Sequence, residues 1–488
     1  MKLYHNTDYD LMRPEWQVAS DLYAGAHDRL VRPEYLWLHQ IESEQFKSEK
    51  GILQARQVRA SRAQRTRYFN IPEIIISLWT SIFFRSAPII PESVDEIFGG
   101  DTDNVDGYGK SLFSFVKEDV FRNYLLYGRV YLLADAPEGQ PLTVAEETQL
   151  GITPRLRSLA PLSVTDWDVE TIHSGRVGKL NMLRHEYRYY EPRSSEQTEP
   201  KESIRSDAIR LDGGVKVRTY EAQGTENVIN YKDVDWKVMG EIPLKLDEIP
   251  VAYLVDRPWL REVNEETLRY FNLRSNKDNI QYNQGFDKTF VTGIDGSDEK
   301  AIQALTEYTV SILPENGSAI KLDPVDVSAY ERALDESFNT ALRVGLNMLS
   351  NLAADSRETM SAEAASQQRE NMYALVDSTL EDIENVVNEA IRHAARFKGI
   401  KNFDDKVEFN RSISEASIDQ FVTLAQAFGD KLSKYPLASK EVIAKAASKL
   451  DLSEEAIEEI NTTEVQDTST SPEADRKRIV DEVINGPQ

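Results

Sequence analysis

The sequence predicts an α+β fold that is predominantly helical. Three observations carry this reading. Residues 1–92 and 328–460 repeat apolar residues at three- and four-residue spacings, as helices buried on one side do. Residues 137–256 lack that period and hold short strand-like runs. Between them, a long polar helix, a compact α/β segment and a second helix follow one another over 257–350.

Taken in order, helices are expected at 13–25 and 32–50, the latter from Tyr35, Leu38, Ile41 and Phe46. The stretch 52–70 carries Arg56, Arg59, Arg62, Arg65 and Arg67, with no acidic residue between Gly51 and Pro72. Three-residue spacing places these arginines along one slowly drifting side of a helix. No aromatic residues are interleaved for base stacking. The stripe therefore reads as a solvated face or as a contact for an acidic neighbouring subunit. The most apolar window, 71–84, contains IIISLWTSIFF. It is shorter than the roughly 20 residues of a bilayer span, so a buried helix is expected. Residues 1–16 show no basic segment followed by an apolar run, and no secretion signal is expected.

A loop-rich segment, 88–109, precedes a helix at 110–126 with Leu112, Phe115, Val116, Val120 and Tyr124 inward, then a strand at 127–136. Further strands are expected at 181–190, 215–220, 234–239 and 251–255, parted by polar loops such as 194–206. The long helix 257–290 has a narrow seam of Leu260, Val263, Leu268, Phe271 and Ile280. Over 290–322 come a strand (TFVTGI), a short helix from Asp298 and a hairpin turned by Asn316-Gly317. Helix 329–353 aligns Tyr330, Leu334, Phe338, Leu342, Leu346 and Leu349. After a polar break at 355–361, a helix from 362 to 398 aligns Met372, Val376, Leu380, Ile383, Val387 and Ile391 and stops at Gly399. A strand at 406–410, helices at 418–432, 439–450 and 453–460, and a polar tail from 461 complete the chain.

Chemistry is hard to find in these residues. With no cysteine, disulfides, thiolate metal sites and a cysteine nucleophile are excluded. NVDGYGKS (104–111) ends like a phosphate-binding loop, but Asn104 stands where that motif needs glycine and no strand precedes it. His185-Glu186 would need a second histidine where Tyr189 stands to form a zinc-protease pair. Residues 101–107 depart from a calcium loop at Val105, and their glycine is one place late. There is no nucleophile elbow, and six scattered histidines suggest no metal cluster. No cofactor is expected. The 57 basic and 82 acidic residues leave a net charge of −25, which opposes a broad grip on a phosphate backbone.

Several phrases, in order, resemble portal proteins of tailed double-stranded-DNA bacteriophages. They are DLYAG (21–25), YLWL (35–38), RASRAQRTRYFN (59–70), SIFFRSAPII (81–90), DGYGKSLFSF (106–115), LLYGRVYLLADAP (125–137) and IPVAYL (249–254). The helix 358–399, then KVEFN (406–410) and PLASKEVIAKA (436–446), continue the likeness, which covers most of 15–450. The loops at 194–232 and the tail after Asn461 match nothing in that pattern.

The resemblance implies a ring, a dodecamer in that family, with wing, stem, clip and crown regions. On this chain it implies N-terminal wing helices (1–92), a β-rich wing (93–256), a first stem helix (257–287), a clip (288–327) and a second stem helix (328–350). A tunnel loop (351–361), a long wing helix and strand (362–411), a crown (412–462) and a polar tail (463–488) would follow. The implied role is structural, not enzymatic: a virion component at one capsid vertex, assembled in the host cytoplasm, through which DNA is packaged and ejected. The implied partners are other copies of the chain, double-stranded DNA in transit, terminase, the head–tail adaptor and the major capsid protein, with no membrane. Asp355, Ser356, Arg357, Glu358, Thr359 and Met360 would face DNA in the tunnel loop. Asp295, Asp298, Glu299, Glu315 and Asn316 would form the clip's partner surface. Arg274 and Lys277 are candidate channel cations, with intersubunit ion pairs as their plainer reading.

A ring of about twelve such chains would carry near −300, repelling DNA beyond roughly a Debye length of 8 Å. The channel is therefore expected to be acidic or neutral, with a few transient cationic contacts. Two alternatives stand beside this reading: another virion structural protein, such as an adaptor or minor head protein, and a nucleotide-dependent enzyme using the Gly109-Lys110-Ser111 turn. On the portal reading, Arg357→Glu should reduce DNA packaging or retention in vivo and leave ring assembly intact. Unchanged packaging would remove the tunnel-loop contact.

Overall fold

The computed structural model describes residues 1–39, 42, 49–100, 102–136, 153–170, 179–190, 202–223, 234–284, 289–292, 310–313, 326–346 and 362–411. Helix α1 (Thr7–Ala24) begins where the Asn6 side chain accepts the Asp8 N–H at 2.9 Å, and it carries Asp8 and Asp10 in its first turn. It buries Tyr9, Trp16, Ala19 and Leu22. A short helix α2 (His27–Leu30) follows.

The helix expected over 32–50 does not form across its first part, where residues 32–39 are turn and coil. Their main chain is engaged elsewhere: the Trp37 N–H donates to the Asn272 side chain at 2.8 Å, and the Tyr35 carbonyl accepts from it at 2.8 Å. Helix α3 (Glu49–Arg65) starts three residues before the expected 52 and ends five before the expected 70. Helix α4 (Ile71–Phe83) is separate, with Asn70 accepting the Glu73 N–H and Pro72 in the first turn, where a missing N–H costs nothing. As its apolar sequence predicts, α4 is buried on most sides.

After α5 (Glu92–Ile97), the helix expected at 110–126 is present in three pieces: α6 (Leu112–Phe115), a π-helical turn (Val116–Val120) and α7 (Phe121–Tyr127). Strand β1 (Arg129–Asp135) is the middle of an antiparallel sheet, β2-β1-β8, with β2 at Arg155–Leu159 and β8 at Val251–Val255. A second sheet is a five-stranded antiparallel meander: β3 (Val164–Val169), β4 (Leu180–Tyr190), β5 (Glu202–Leu211), β6 (Val215–Gln223) and β7 (Asp235–Leu244). β5 occupies part of the stretch expected to be a polar loop. Its sequence, ESIRSDAIRL, does alternate, but the alternation pairs Ile204 and Ala208 with Ser206, and small polar residues weaken the period.

The remaining helices are α8 (Arg261–Gln284), α9 (Ser328–Gly345) and α10 (Ala362–Phe397); α8 and α10 lie within their expected spans, while α9 ends eight residues before the expected 353. Between α8 and α9, β9 (Thr289–Thr292) pairs in parallel with β10 (Val310–Leu313), which requires a crossover connection. The Asn316-Gly317 turn, the tunnel-loop span and everything after Arg411 lie outside the described residues. Residues 406–410 do not form the expected strand. Val407 exchanges hydrogen bonds with the Asn388 side chain (2.8 and 3.0 Å), leaving Glu408 one bridge to Ile89. The fold is thus α+β, as the sequence predicts.

The main core lies between α4, α7, β1 and α10. Trp79 and Trp259 meet edge to face at 5.5 Å, Phe83 lies 4.7 Å from Phe121, and Phe84 lies 5.8 Å from Phe409. At Gly128 the chain turns from α7 into β1 with φ +62°, and an added Cβ would lie 2.5 Å from the Asp256 carbonyl oxygen. Gly213 has a similar φ of +64° but open space around it. Gly128→Ala should therefore lower stability by more than the ~1–2 kcal/mol of a left-handed backbone alone, and Gly213→Ala by about that amount. Equal unfolding midpoints for the two variants would show that the close approach carries no cost.

Candidate functional site

Helices α8 and α9 form an antiparallel pair, and the contacts define its register. Glu266 Oε2 accepts from Ser337 Oγ at 2.8 Å, Tyr270 packs on Phe338 at 6.1 Å, and Lys277 donates to Glu331 at 2.7 Å. At the base, Gly345 lets α9 close on α4 and α8: a Cβ there would fall 2.4 Å from Ile75 Cδ1 and 2.9 Å from Val263 Cγ2. The Trp79 indole N–H donates to the Gly345 carbonyl at 2.8 Å.

The opposite side of α8 is polar. Asn272, Ser275, Asn276 and Asn279 share one helical face at spacings of three and four. Asn272 bonds the main chain at Tyr35 and Trp37, Asn276 meets His39 at 2.6 Å, and Asn279 accepts from Arg65 at 3.0 Å. Ser275 is buried and meets both Thr66 (2.8 Å) and Arg62 (3.1 Å). Arg62 is the centre of this seam. Its Nε and Nη2 each donate to Glu42 at 2.6 Å, and Nη2 also reaches the Trp37 carbonyl at 2.7 Å. The side chains of Arg62 and Glu42 are 2% and 0% exposed. Burial alone would raise the Glu42 pKa, but the Arg62 hydrogen bonds and the His39 N–H outweigh it and hold the carboxyl below its usual 4.5.

Sequence reasoning foresaw neither this pair nor the ladder. The ladder had a signal, the 3-1-3 spacing of small amides and a hydroxyl; Glu42 had none. Three of the five arginines expected to face solvent or a neighbouring subunit are held within the chain instead. Arg59 donates to the Val31 carbonyl at 3.2 Å, Arg62 pairs with Glu42, and Arg65 stacks 3.9 Å over Tyr282. A group 20 to 214 residues away in sequence satisfies each, a main-chain carbonyl for Arg59 and side chains for Arg62 and Arg65, which periodicity cannot show.

Of the expected channel cations, Lys277 is paired with Glu331, and Arg274 Nε lies 3.9 Å from Asp278. Both partners are in the same chain. Burial raises the Asp278 pKa despite the nearby cations. Asp355, Ser356, Arg357, Glu358, Thr359 and Met360 lie outside the described residues, as do Asp295, Asp298, Glu299, Glu315 and Asn316. On the outward sides of α8 and α9, Glu262, Glu265, Glu331, Asp335 and Glu336 are exposed alongside Arg269, Arg332 and Arg343.

The Gly109-Lys110-Ser111 turn uses its own donors. Asn104 Oδ1 accepts the Gly109 N–H at 2.7 Å, and Asp106 Oδ1 accepts those of Tyr108 and Lys110 at 2.8 and 3.1 Å. Lys110 Nζ pairs with Asp119 at 2.6 Å and Glu118 at 3.3 Å, while Ser111 caps α6. The amides that a phosphate nest would present are thus already bonded to side-chain oxygens. His185 sits on strand β4, stacked on Tyr187, with burial pushing its pKa down to about 4. Among the described residues no group of three or more His, Asp or Glu is arranged to hold a metal, and no helix is long and apolar enough to cross a membrane.

These elements define an α+β protein built round a braced antiparallel helix pair. No protein-family model matches the chain, and a search of curated proteins finds no match.

Glu42→Ala should destabilise the fold by about 3–5 kcal/mol, because it strands a buried guanidinium. Glu42→Leu combined with Arg62→Met should recover most of that loss. The folded Glu42 pKa is depressed, so its contribution is complete above pH 4.5 and is lost as pH falls through the lower folded value. Denaturant titrations from pH 7 to pH 3 check this; a penalty independent of pH would contradict the assignment.

Proposed function

We propose that this chain is a portal subunit: one copy in a ring at a capsid vertex that conducts double-stranded DNA. The observation that carries the reading is the antiparallel α8–α9 pair. Its base is fixed in the core at Gly345, Val263 and Trp79, and its far end carries the segment 285–327. The long helix α10 follows it. That order matches the stem, clip and wing-helix sequence to which the chain's phrases are similar.

The geometry suits such a role. At 24 residues, α8 is about 36 Å long at 1.5 Å per residue, enough to line a substantial length of channel. Its outward side mixes acids and bases, and its two best-placed cations are neutralised within the chain. Few phosphate contacts would form, and few counterions would be released, so DNA would pass with low affinity. The clip span 288–327 would meet terminase during packaging and the head–tail adaptor afterwards, and the wing would meet the capsid. No observation favours the nucleotide reading, since the turn's amides and lysine are engaged. The other virion-protein reading has no element that requires it.

Negative-stain images of the purified full chain test the proposal. Rings with a central hole, of about twelve subunits, are expected. Monomers or open filaments at micromolar concentration would sink it.

A further inference from the structure

The meander docks on the three-stranded sheet through one face. Leu183 on β4 and Ile209 on β5 share a buried cluster with Tyr131, Leu133 and Leu159 of β1 and β2. His185 stands two residues beyond Leu183 and therefore on that same face. It is 4% exposed. Its Nδ1 is buried and has no hydrogen-bond partner. An unbonded polar atom inside a joint between two sheets costs stability, and a charge there costs far more.

Few charged groups face this ring among the described residues. Asp207 on β5 is its direct cross-strand partner, β3 opposes it with Val164, and Arg157 presents a guanidinium from β2. On β4 itself, Tyr187 stacks on the imidazole with centroids 5.4 Å apart. The Asp207 carboxylate is already engaged: Thr219 Oγ1 donates to it at 2.6 Å, and the Tyr187 hydroxyl bonds it as well. Glu186 adjoins His185 in sequence but lies on the other face. There its Oε1 accepts from Thr165 at 3.1 Å and lies 3.7 Å from His5. A proton added to His185 thus meets a cation and one carboxylate whose bonds are used elsewhere. Burial, with Arg157, outweighs the attraction of Asp207 and holds the imidazole down at about 4.

We infer that His185 makes the joint between the meander and the β2-β1-β8 sheet open in acid: protonating its imidazole releases this face of the meander while the helical half stays folded. The inference is separate from the portal reading and needs no ring. The proton comes from solvent and adds to the bare ring nitrogen, and no other covalent bond changes. Because the folded pKa lies below the ordinary 6.5, the joint is complete above pH 6.5 and weakens as pH falls toward about 4. The helical half keeps its Glu42–Arg62 pair through most of that range, since the Glu42 carboxyl is held below its usual 4.5. Opening exposes Leu183 and Ile209 on one side, and Tyr131 and Leu159 on the other. His393, a second buried imidazole, lies on α10 beside Arg396 (3.5 Å) and Glu389 (4.0 Å), so its protonation is read in α10.

Hydrogen exchange of the full chain between about pH 7.5 and pH 4.5, read by mass spectrometry and corrected for the intrinsic effect of pH, tests this. The opening constant for β4 and β5 should rise roughly fiftyfold across that range, with α8 and α9 protected throughout. In His185→Gln, whose side chain carries no charge, β4 and β5 should keep their protection. Arg157→Gln, at a half-exposed position, should shrink the rise by removing the facing cation, and it keeps the test open if His185→Gln does not fold. Unchanged protection of β4 and β5 in the wild type overturns the inference. So does a folded His185→Gln chain that opens as the wild type does, an Arg157→Gln chain with an undiminished rise, or loss of α8 and α9 protection at the same pH.

Discussion

The buried Arg62–Glu42 pair is the constraint on which the helical half of this protein depends. Taking both ions from water costs several kcal/mol each, and the cost is offset only if every donor and acceptor is satisfied. Here it is. Glu42 accepts twice from Arg62 and once from the His39 N–H, while Arg62 also reaches Trp37 and Ser275. Three segments distant in sequence, around residue 40, on α3 and on α8, must be in one arrangement for this to hold. An apolar replacement could be as stable. What the pair contributes is register: only one rotation of α8 brings Ser275 to Arg62 while Asn272 spans Tyr35 and Trp37.

This gives α8 two unlike neighbours. Toward α9 it offers Val263 and Tyr270, packed against Gly345 and Phe338. Toward the N-terminal segment it offers amides and hydroxyls beside Phe271, which packs on Leu22, Leu30 and Leu36. Apolar contact tolerates small slides, because dispersion is non-directional; a hydrogen-bonded ladder does not. The helix pair is therefore held by packing, with Ser337–Glu266 and Lys277–Glu331 bonds along it, and α8 is tied to the N-terminal segment by directional bonds as well as by Phe271. Gly345 completes the arrangement, since the absence of a Cβ lets the end of α9 sit directly on Ile75.

The parts of this fold legible in sequence were those with strong local periods. The apolar α4, the stripe of α9, the strands at 181–190 and 251–255 and the stop of α10 before Gly399 are set by neighbours three, four or two residues apart. The misread parts are set at long range. Residues 32–39 have helical spacing, but their main-chain groups bond Asn272. Residues 406–410 alternate like a strand, but Asn388 takes the hydrogen bonds of Val407. The arginine stripe was visible as a stripe; that Arg62 points into a carboxylate was not, because Glu42 belongs to no periodic pattern. Asn104 stands where a phosphate loop needs glycine, and its side chain accepts the Gly109 N–H.

The cations share one further property. Lys110, Lys277, Arg396, Arg62 and Arg184 each have a carboxylate within 3.5 Å in the same chain. These five bases are neutralised within the chain, and 57 bases against 82 acids leave the sequence with a surplus of acid. Affinity for a phosphate backbone comes from displaced counterions, and a paired cation displaces few. For the conduit proposed above, the consequence would be low adhesion along its walls without any special lining.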